Sequence, residues 1–201
     1  MRRFMRDEIP AAAEVLKHDG CIAAATDTVF GVCARISEEG QRKLYEVKNR
    51  PQTKRFPVMC ADAEQLRTIA EVSPAAEAVI GAFMPGPLTV ILKKKDHVPS
   101  YVNGGMDTLA IRMATSDALA ELIRETGCPL FMTSANRSGE KTCTNLDEIE
   151  LACPDLDGMM EGSTAFGQAS TIADCTQAEV RILRPGPLTL EQLKGEDKNG
   201  R

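Results

Sequence analysis

The sequence predicts an α/β fold, a twisted mixed parallel/antiparallel sheet with flanking helices, over residues 1–193. Short apolar runs of strand length recur between stretches with helical periodicity. The alternation is not strictly strand–helix, because two helical stretches lie back to back within residues 63–83, and that favours a sheet of mixed direction over a purely parallel one. A chain of 201 residues, 43% hydrophobic, has the length and composition of a single domain with a sizeable core.

The elements follow in order. Residues 8–18 place Ile9, Ala12, Ala13, Val15 and Leu16 near one helical face, with Pro10 early and Gly20 as a stop. Cys21–Ala25 reads as a short buried strand, running into hydroxyls that flank Asp27 and then Gly31. Residues 37–47 form a helix that Ser37 can cap, ended by Pro51. Phe56–Cys60 is a strand; residues 63–70 and 74–83 are helices, the second opened by Ser73-Pro74. After the rigid turn Met84-Pro85-Gly86-Pro87, Leu88–Leu92 is a strand, with Lys93, Lys94 and Lys95 as its solvated end. Thr108–Met113 alternates, setting Leu109, Ile111 and Met113 on one face and Ala110 and Arg112 on the other. A helix over 116–126 stops at Gly127; an apolar strand from Leu130 turns polar at Thr133-Ser134-Ala135-Asn136; a helix over 146–152 starts at Thr144-Asn145. Ser170-Thr171 precedes a short strand containing Ile172, and Val180–Arg184 is the last strand. Residues 194–201 carry no apolar side chain and are expected to form a disordered tail.

Composition narrows the chemistry. Aromatics are 4% of residues and Trp is absent, so base-stacking platforms of the kind RNA-binding modules use are poorly supplied. The net charge of -5 gives no global attraction for polyanions, so an anion site needs a local basic cluster. One exists: four of the eight residues from Lys48 to Arg55 are basic. The seven cysteines are odd in number and scattered without Cys-x-x-Cys, which suits free buried thiols better than disulfides or zinc. Two histidines, neither near a Cys or a carboxylate motif, offer no base for a nucleophilic triad. The first ten residues lack an apolar core of signal-peptide length and no run approaches a membrane span, so the expected location is cytoplasmic.

Three strand-flanking hydroxyl clusters therefore stand out: Thr26/Thr28, Thr133/Ser134/Asn136 and Ser170/Thr171. The cationic candidates are Lys48, Arg50 and Lys54, then Arg112, then Arg184. No Walker A, GxSxG, HExxH or GxGxxG sequence occurs. Hydroxyls, amides and cations without an activated nucleophile suit binding and orienting oxyanions, as in phosphoryl or nucleotidyl transfer.

Taken together, Thr26-Asp27-Thr28-Val29-Phe30-Gly31, Lys48-Asn49-Arg50-Pro51, Pro85-Gly86-Pro87-Leu88-Thr89, Ala110-Ile111-Arg112-Met113, Ser134-Ala135-Asn136-Arg137-Ser138-Gly139, Ser170-Thr171-Ile172-Ala173-Asp174 and Leu183-Arg184-Pro185-Gly186 resemble the YrdC-type threonylcarbamoyl-AMP synthases, over about residues 8–190. The resemblance is to the single-domain form, without the linker and C-terminal extension that some relatives carry. It implies a large concave, positively lined cavity and the condensation of L-threonine, bicarbonate and ATP into threonylcarbamoyl-AMP and pyrophosphate. Magnesium would come with ATP, with no tightly bound protein-ligated metal. A downstream transfer system would move the group to tRNA, with a weak tRNA contact as a further implied partner and no membrane. By similarity Lys48 and Arg50 are the catalytic pair at the phosphate and carboxylate site, with Lys54 nearby. Thr28, with Thr26, meets threonine or carbamate; Ser134 and Asn136 lie on the nucleotide phosphate, and Thr133 joins them as a substrate- or nucleotide-binding residue. Arg112 is a cavity cation, Ser170 and Thr171 close the threonine side, and Arg184 contacts the nucleotide.

The chain departs from the family pattern at Ala25, where Pro is usual, and at Arg55-Phe56, where a Pro-Leu-like pair is usual and Pro57 comes one place later. Two alternatives accompany this reading: an RNA-binding module of the same fold, and a carbamoyl-handling enzyme like the YrdC-like domains of hydrogenase-maturation carbamoyltransferases. The acidic charge opposes the first, and the missing zinc pattern opposes the second.

Overall fold

The computed structural model describes residues 1–165 and 167–195. Among these, the strands are β1 Arg2–Phe4, β2 Cys21–Ala25, β3 Phe30–Arg35, β4 Val58–Cys60, β5 Ala70–Glu71, β6 Leu88–Lys94, β7 Thr108–Met113, β8 Leu130–Ser134, β9 Gly158–Met160, β10 Thr171–Asp174 and β11 Arg181–Arg184. The helices are α1 Ile9–Lys17, α2 Glu38–Lys48, α3 Ala63–Ile69, α4 Pro74–Phe83, α5 Asp117–Thr126, α6 Leu146–Ala152 and α7 Leu190–Leu193. The strands form one sheet in the order β1-β9-β2-β3-β8-β4-β7-β6-β10-β11, with β5 added beside β6. Its direction is mixed: β4 runs parallel to β7 and β10 parallel to β6, while β3 pairs antiparallel with both β2 and β8.

Local chemistry sets the helix ends. Ser37, Ser73, Ser116 and Asn145 each accept a backbone N–H three residues on, satisfying a donor that the helix leaves free. Gly127 closes α5 in the left-handed region. The end of α2 differs from the sequence expectation. Asn49, not Pro51, stops the helix, at φ 45° and ψ 50°, and the Arg50 N–H then donates back to the Tyr45 carbonyl.

Two apolar layers follow from strand alternation. One face of the sheet carries Ala23, Val32, Val58, Val90, Ile111 and Phe131 against α2, α3, α4 and α6. The other carries Ile22, Cys33, Met59, Leu130 and Met132 against α1 and α5, which also pack on each other. Those two helices cover only part of their face. Over β7, β6, β10 and β11 it is left open, and the candidate site lies there.

Short elements escaped the sequence reading. β1, β5 and β9 have two or three residues each, too few to show a period, and α7 has four. Lys93 and Lys94 belong to β6 itself, where β5 and β7 pair with it, and form its end with Lys93 exposed to solvent, as expected. The expected tail begins at Lys194, which caps α7; its residues from 196 on lie outside the described residues. All seven cysteines are free. Burial pushes the Cys21 thiol up to about 12 and Cys175 to about 11, so neither is a thiolate nucleophile at neutral pH. No helix among the described residues is long and apolar enough to cross a membrane.

Candidate functional site

A cavity of about 410 Å³ opens on the uncovered part of the sheet. Thr108, Ala110 and Arg112 of β7 and Thr89 and Ile91 of β6 form its floor, alternating with core residues on the opposite face. The rim comes from the segment after β2, the end of β8, the loop before β4, and the Ser170 and Arg184 ends of β10 and β11. The carboxyl edge expected from open parallel sheets is therefore only part of the site. Because β6 and β10 run the opposite way to β7 and β11, Thr89 and Ser170 enter from strand amino ends.

The structure brings eight of the twelve sequence-predicted residues to this wall: Thr26, Thr28, Arg50, Arg112, Thr133, Ser134, Ser170 and Arg184. The Thr26 hydroxyl organises the turn, donating to the Val29 carbonyl at 2.6 Å and accepting the Thr28 and Val29 N–H groups at 3.2 Å. Thr28 Oγ1 accepts from Arg112 Nη1 at 2.7 Å, while Arg112 Nη2 donates to Asp27 Oδ1 at 2.5 Å and to the Gly86 carbonyl at 3.2 Å. Across the cavity Arg184 Nη2 donates to the Ser170 carbonyl at 2.7 Å, and the Ser170 and Thr89 hydroxyls are bonded at 2.8 Å. The turn at Gly186 makes this possible: a Cβ there would lie 2.3 Å from the Thr171 nitrogen. Burial lowers the pKa of Arg112, Asp27 opposes the shift, and the like charge of Arg184 adds to it. Two guanidiniums that repel each other across one void favour an anion between them.

Four predicted residues lie elsewhere. Lys48 is only 1% exposed and sits beneath the wall. Its ammonium donates to the carbonyls of Ser134 and Asn136 and, at 2.9 Å, to Asn136 Oδ1. The Ser138 N–H returns a bond to the Lys48 carbonyl at 2.9 Å, so the end of α2 and the 134–138 loop are joined in both directions. Desolvation pulls the Lys48 pKa down to about 8. Asn136 is likewise consumed by the loop: its amide donates to the Arg137 and Glu140 carbonyls, and its oxygen also accepts from Ser134 Oγ at 2.6 Å. Thr171 Oγ1 is buried against the Leu188 backbone. Lys54 is exposed, and what the loop uses is its carbonyl, which accepts from Arg50 Nε at 3.0 Å and Tyr45 Oη at 3.2 Å. Together these bonds hold Arg50 on the wall, its guanidinium 5.0 Å over the Phe56 ring.

Sequence reasoning assigned no role to Thr89, Asn103, Met106 and Thr108, which also line the cavity. Thr89 and Thr108 were readable in principle, as hydroxyls alternating with buried aliphatic residues on their strands. Asn103 lies in a glycine-containing loop with no such signal. Arg55, the extra cation of the basic loop, crosses to Gly104, whose φ of +68° and missing Cβ make room for the guanidinium. Among the described residues the wall carries no His, Asp, Glu or Lys.

The comparisons with known proteins agree with this architecture. The Sua5/YciO/YrdC family model, described as telomere recombination, matches residues 14–186. A threonylcarbamoyl-AMP synthase of Pyrococcus abyssi is 34% identical over 194 residues, covering 93% of this chain and 56% of the relative. A threonylcarbamoyl-AMP synthase of Bacillus subtilis is 35% identical over 195 residues, with the same coverages. This chain thus spans little more than half the length of those two relatives. A crystal structure of P. abyssi Sua5 complexed with L-threonine superposes with a TM-score of 0.89 at 30% identity, covering 98% of this chain and 60% of that one. The mixed sheet, the order of its motifs and the extent of the match make this chain a member of the Sua5/YciO/YrdC family.

Proposed function

We propose that this chain condenses L-threonine, bicarbonate and ATP into threonylcarbamoyl-AMP and pyrophosphate, acting in the cytoplasm and supplying a downstream system that modifies tRNA. The observation that carries the reading is the convergence of all three hydroxyl clusters and of Arg50, Arg112 and Arg184 on one cavity. The relatives named threonylcarbamoyl-AMP synthase, and the threonine bound in a related structure, point the same way.

The chemistry suits such a wall. The threonine amine, after losing a proton to solvent, adds to CO2 with loss of a second proton, or to bicarbonate with expulsion of water, to give a carbamate, and a carbamate oxygen then attacks the α-phosphorus as its bond to the pyrophosphate oxygen breaks. The carboxylate, the carbamate, ATP and pyrophosphate are all anionic, so the route needs cations and neutral donors in fixed positions more than a protein base. In this reading Arg112 with Thr28, and Ser170, hold the carboxylate and carbamate end, and Arg184 contacts the nucleotide. Arg50 with Thr133 and Ser134 is placed for the phosphates. Lys48 and Asn136 act one layer behind, fixing the loop that presents Ser134. Magnesium would arrive on the phosphates and neutralise them; no group of three or more His, Cys, Asp or Glu among the described residues is placed to cage it.

Incubation with ATP, L-threonine and 13C-bicarbonate, followed by mass spectrometry, tests the reading. The expected product is threonylcarbamoyl-AMP one mass unit heavier than from unlabelled bicarbonate. A nucleotide product without threonine or without the label would contradict it.

A further inference from the structure

Resting on the proposed nucleotide reaction, we infer that Asn103 selects the base of the nucleotide by accepting a hydrogen bond from the 6-amino group of adenine. Asn103 closes a short 3-10 turn over Ser100–Asn103 and is 3% exposed. Its Nδ2 donates to the Met106 carbonyl at 2.7 Å and to the Thr108 carbonyl. Two carbonyl partners on one side of the amide leave no ambiguity about which atom is nitrogen. Oδ1 is therefore committed as an acceptor. It is buried, it has no donor among the described residues, and Asn103 lines the cavity. A buried amide oxygen without a donor is uncommon in a folded protein, and a donor supplied by a ligand would complete it.

The surroundings fit a purine. Phe56, Met106 and Ala110 line the same cavity as Asn103 and offer it apolar, polarisable surface, and Arg50 and Arg55 supply it with positive charge. Adenine presents an amino group at C6, where guanine and hypoxanthine present a carbonyl. A 6-oxo base would bring an acceptor against Oδ1, whereas a 6-amino base donates to it.

Binding of ATP, purine riboside triphosphate (hydrogen at C6) and inosine triphosphate, each with magnesium, is to be measured by calorimetry on the wild-type protein and on Asn103→Ala. The expected wild-type order is ATP about tenfold tighter than the 6-hydrogen analogue, the value of one buried hydrogen bond, with inosine triphosphate weaker still. In Asn103→Ala, ATP and the 6-hydrogen analogue should bind equally. A purely structural Asn103 would weaken both nucleotides together and keep their ratio, which would overturn the inference. Equal binding of ATP and the analogue by the wild type would overturn it without any variant. Failure of the wild type to bind any of the three would instead remove the nucleotide reading on which it rests.

Discussion

Lys48→Met is expected to abolish turnover and to destabilise the protein by about 3 kcal/mol, whereas Arg50→Ala should abolish turnover with a stability change within about 1 kcal/mol. The two residues are neighbours in sequence but do different work. Arg50 reaches the cavity, and its guanidinium bonds only carbonyls of its own loop. Lys48 is buried and bonds three oxygens of the 134–136 segment. Desolvation penalises its charge. Removing the ammonium nevertheless takes the Lys48 donor from the Ser134 and Asn136 carbonyls, while Asn136 Oδ1 keeps Ser134 Oγ, and an unmet buried acceptor costs more than a made bond returns. The pH dependence separates the two variants further. Desolvation holds the folded Lys48 pKa at about 8, below its ordinary 10.5. Between these values the unfolded chain binds more protons than the native one, so the Lys48 contribution makes stability rise with pH across that window. Burial also raises the Cys21 and Cys175 thiols, whose ionisation in the unfolded chain lowers stability above about pH 9, so the Lys48 contribution is read as a difference: in urea denaturation from about pH 7.5 to about 10.5, wild type and Arg50→Ala should gain stability relative to Lys48→Met as pH rises. An unchanged slope in Lys48→Met, or normal turnover in either variant, would contradict these assignments.

Arg112→Met should lower turnover by at least about 100-fold, the scale of losing one preorganised charge-stabilising group. It should also cost about 3–5 kcal/mol, because the Asp27 carboxylate would be left nearly buried without its cation. In the ion pair the Arg112 side chain is 9% exposed and Asp27 14%, at 2.5 Å. Adding Asp27→Asn to Arg112→Met should recover a large part of the stability and none of the activity. Recovery of both would show that the arginine serves the fold alone. Thermal and urea unfolding beside steady-state rates decide between these outcomes.

Much of this arrangement was legible in the sequence. Thr108–Met113 appeared with the alternation the strand shows, and Ser37, Ser116 and Asn145 announced the helices they cap. Each of the three hydroxyl clusters stands where an apolar run ends or begins, and each sends at least one residue to the cavity. Depth was not legible. A lysine in the last turn of a helix reads as a complement to the helix dipole. That Lys48 turns inward depends on Asn49 entering the left-handed region and on the 134–138 loop folding over it. Asn136 and Thr171 failed in the same way: their residue types suit a ligand, but the backbone carbonyls around them used that capacity first. Asn103 was missed for the opposite reason. Its amide nitrogen is held by carbonyls some residues on, while its buried oxygen has no donor among the described residues and the residue lines the cavity.

The central claim is that one cavity holds threonine and ATP together. It is tested most directly by the rate of pyrophosphate release from ATP with threonine and bicarbonate each present or omitted. Release should require both, and omission of either should reduce it to background. Pyrophosphate release at the full rate without threonine, or none with all three substrates, would contradict the account.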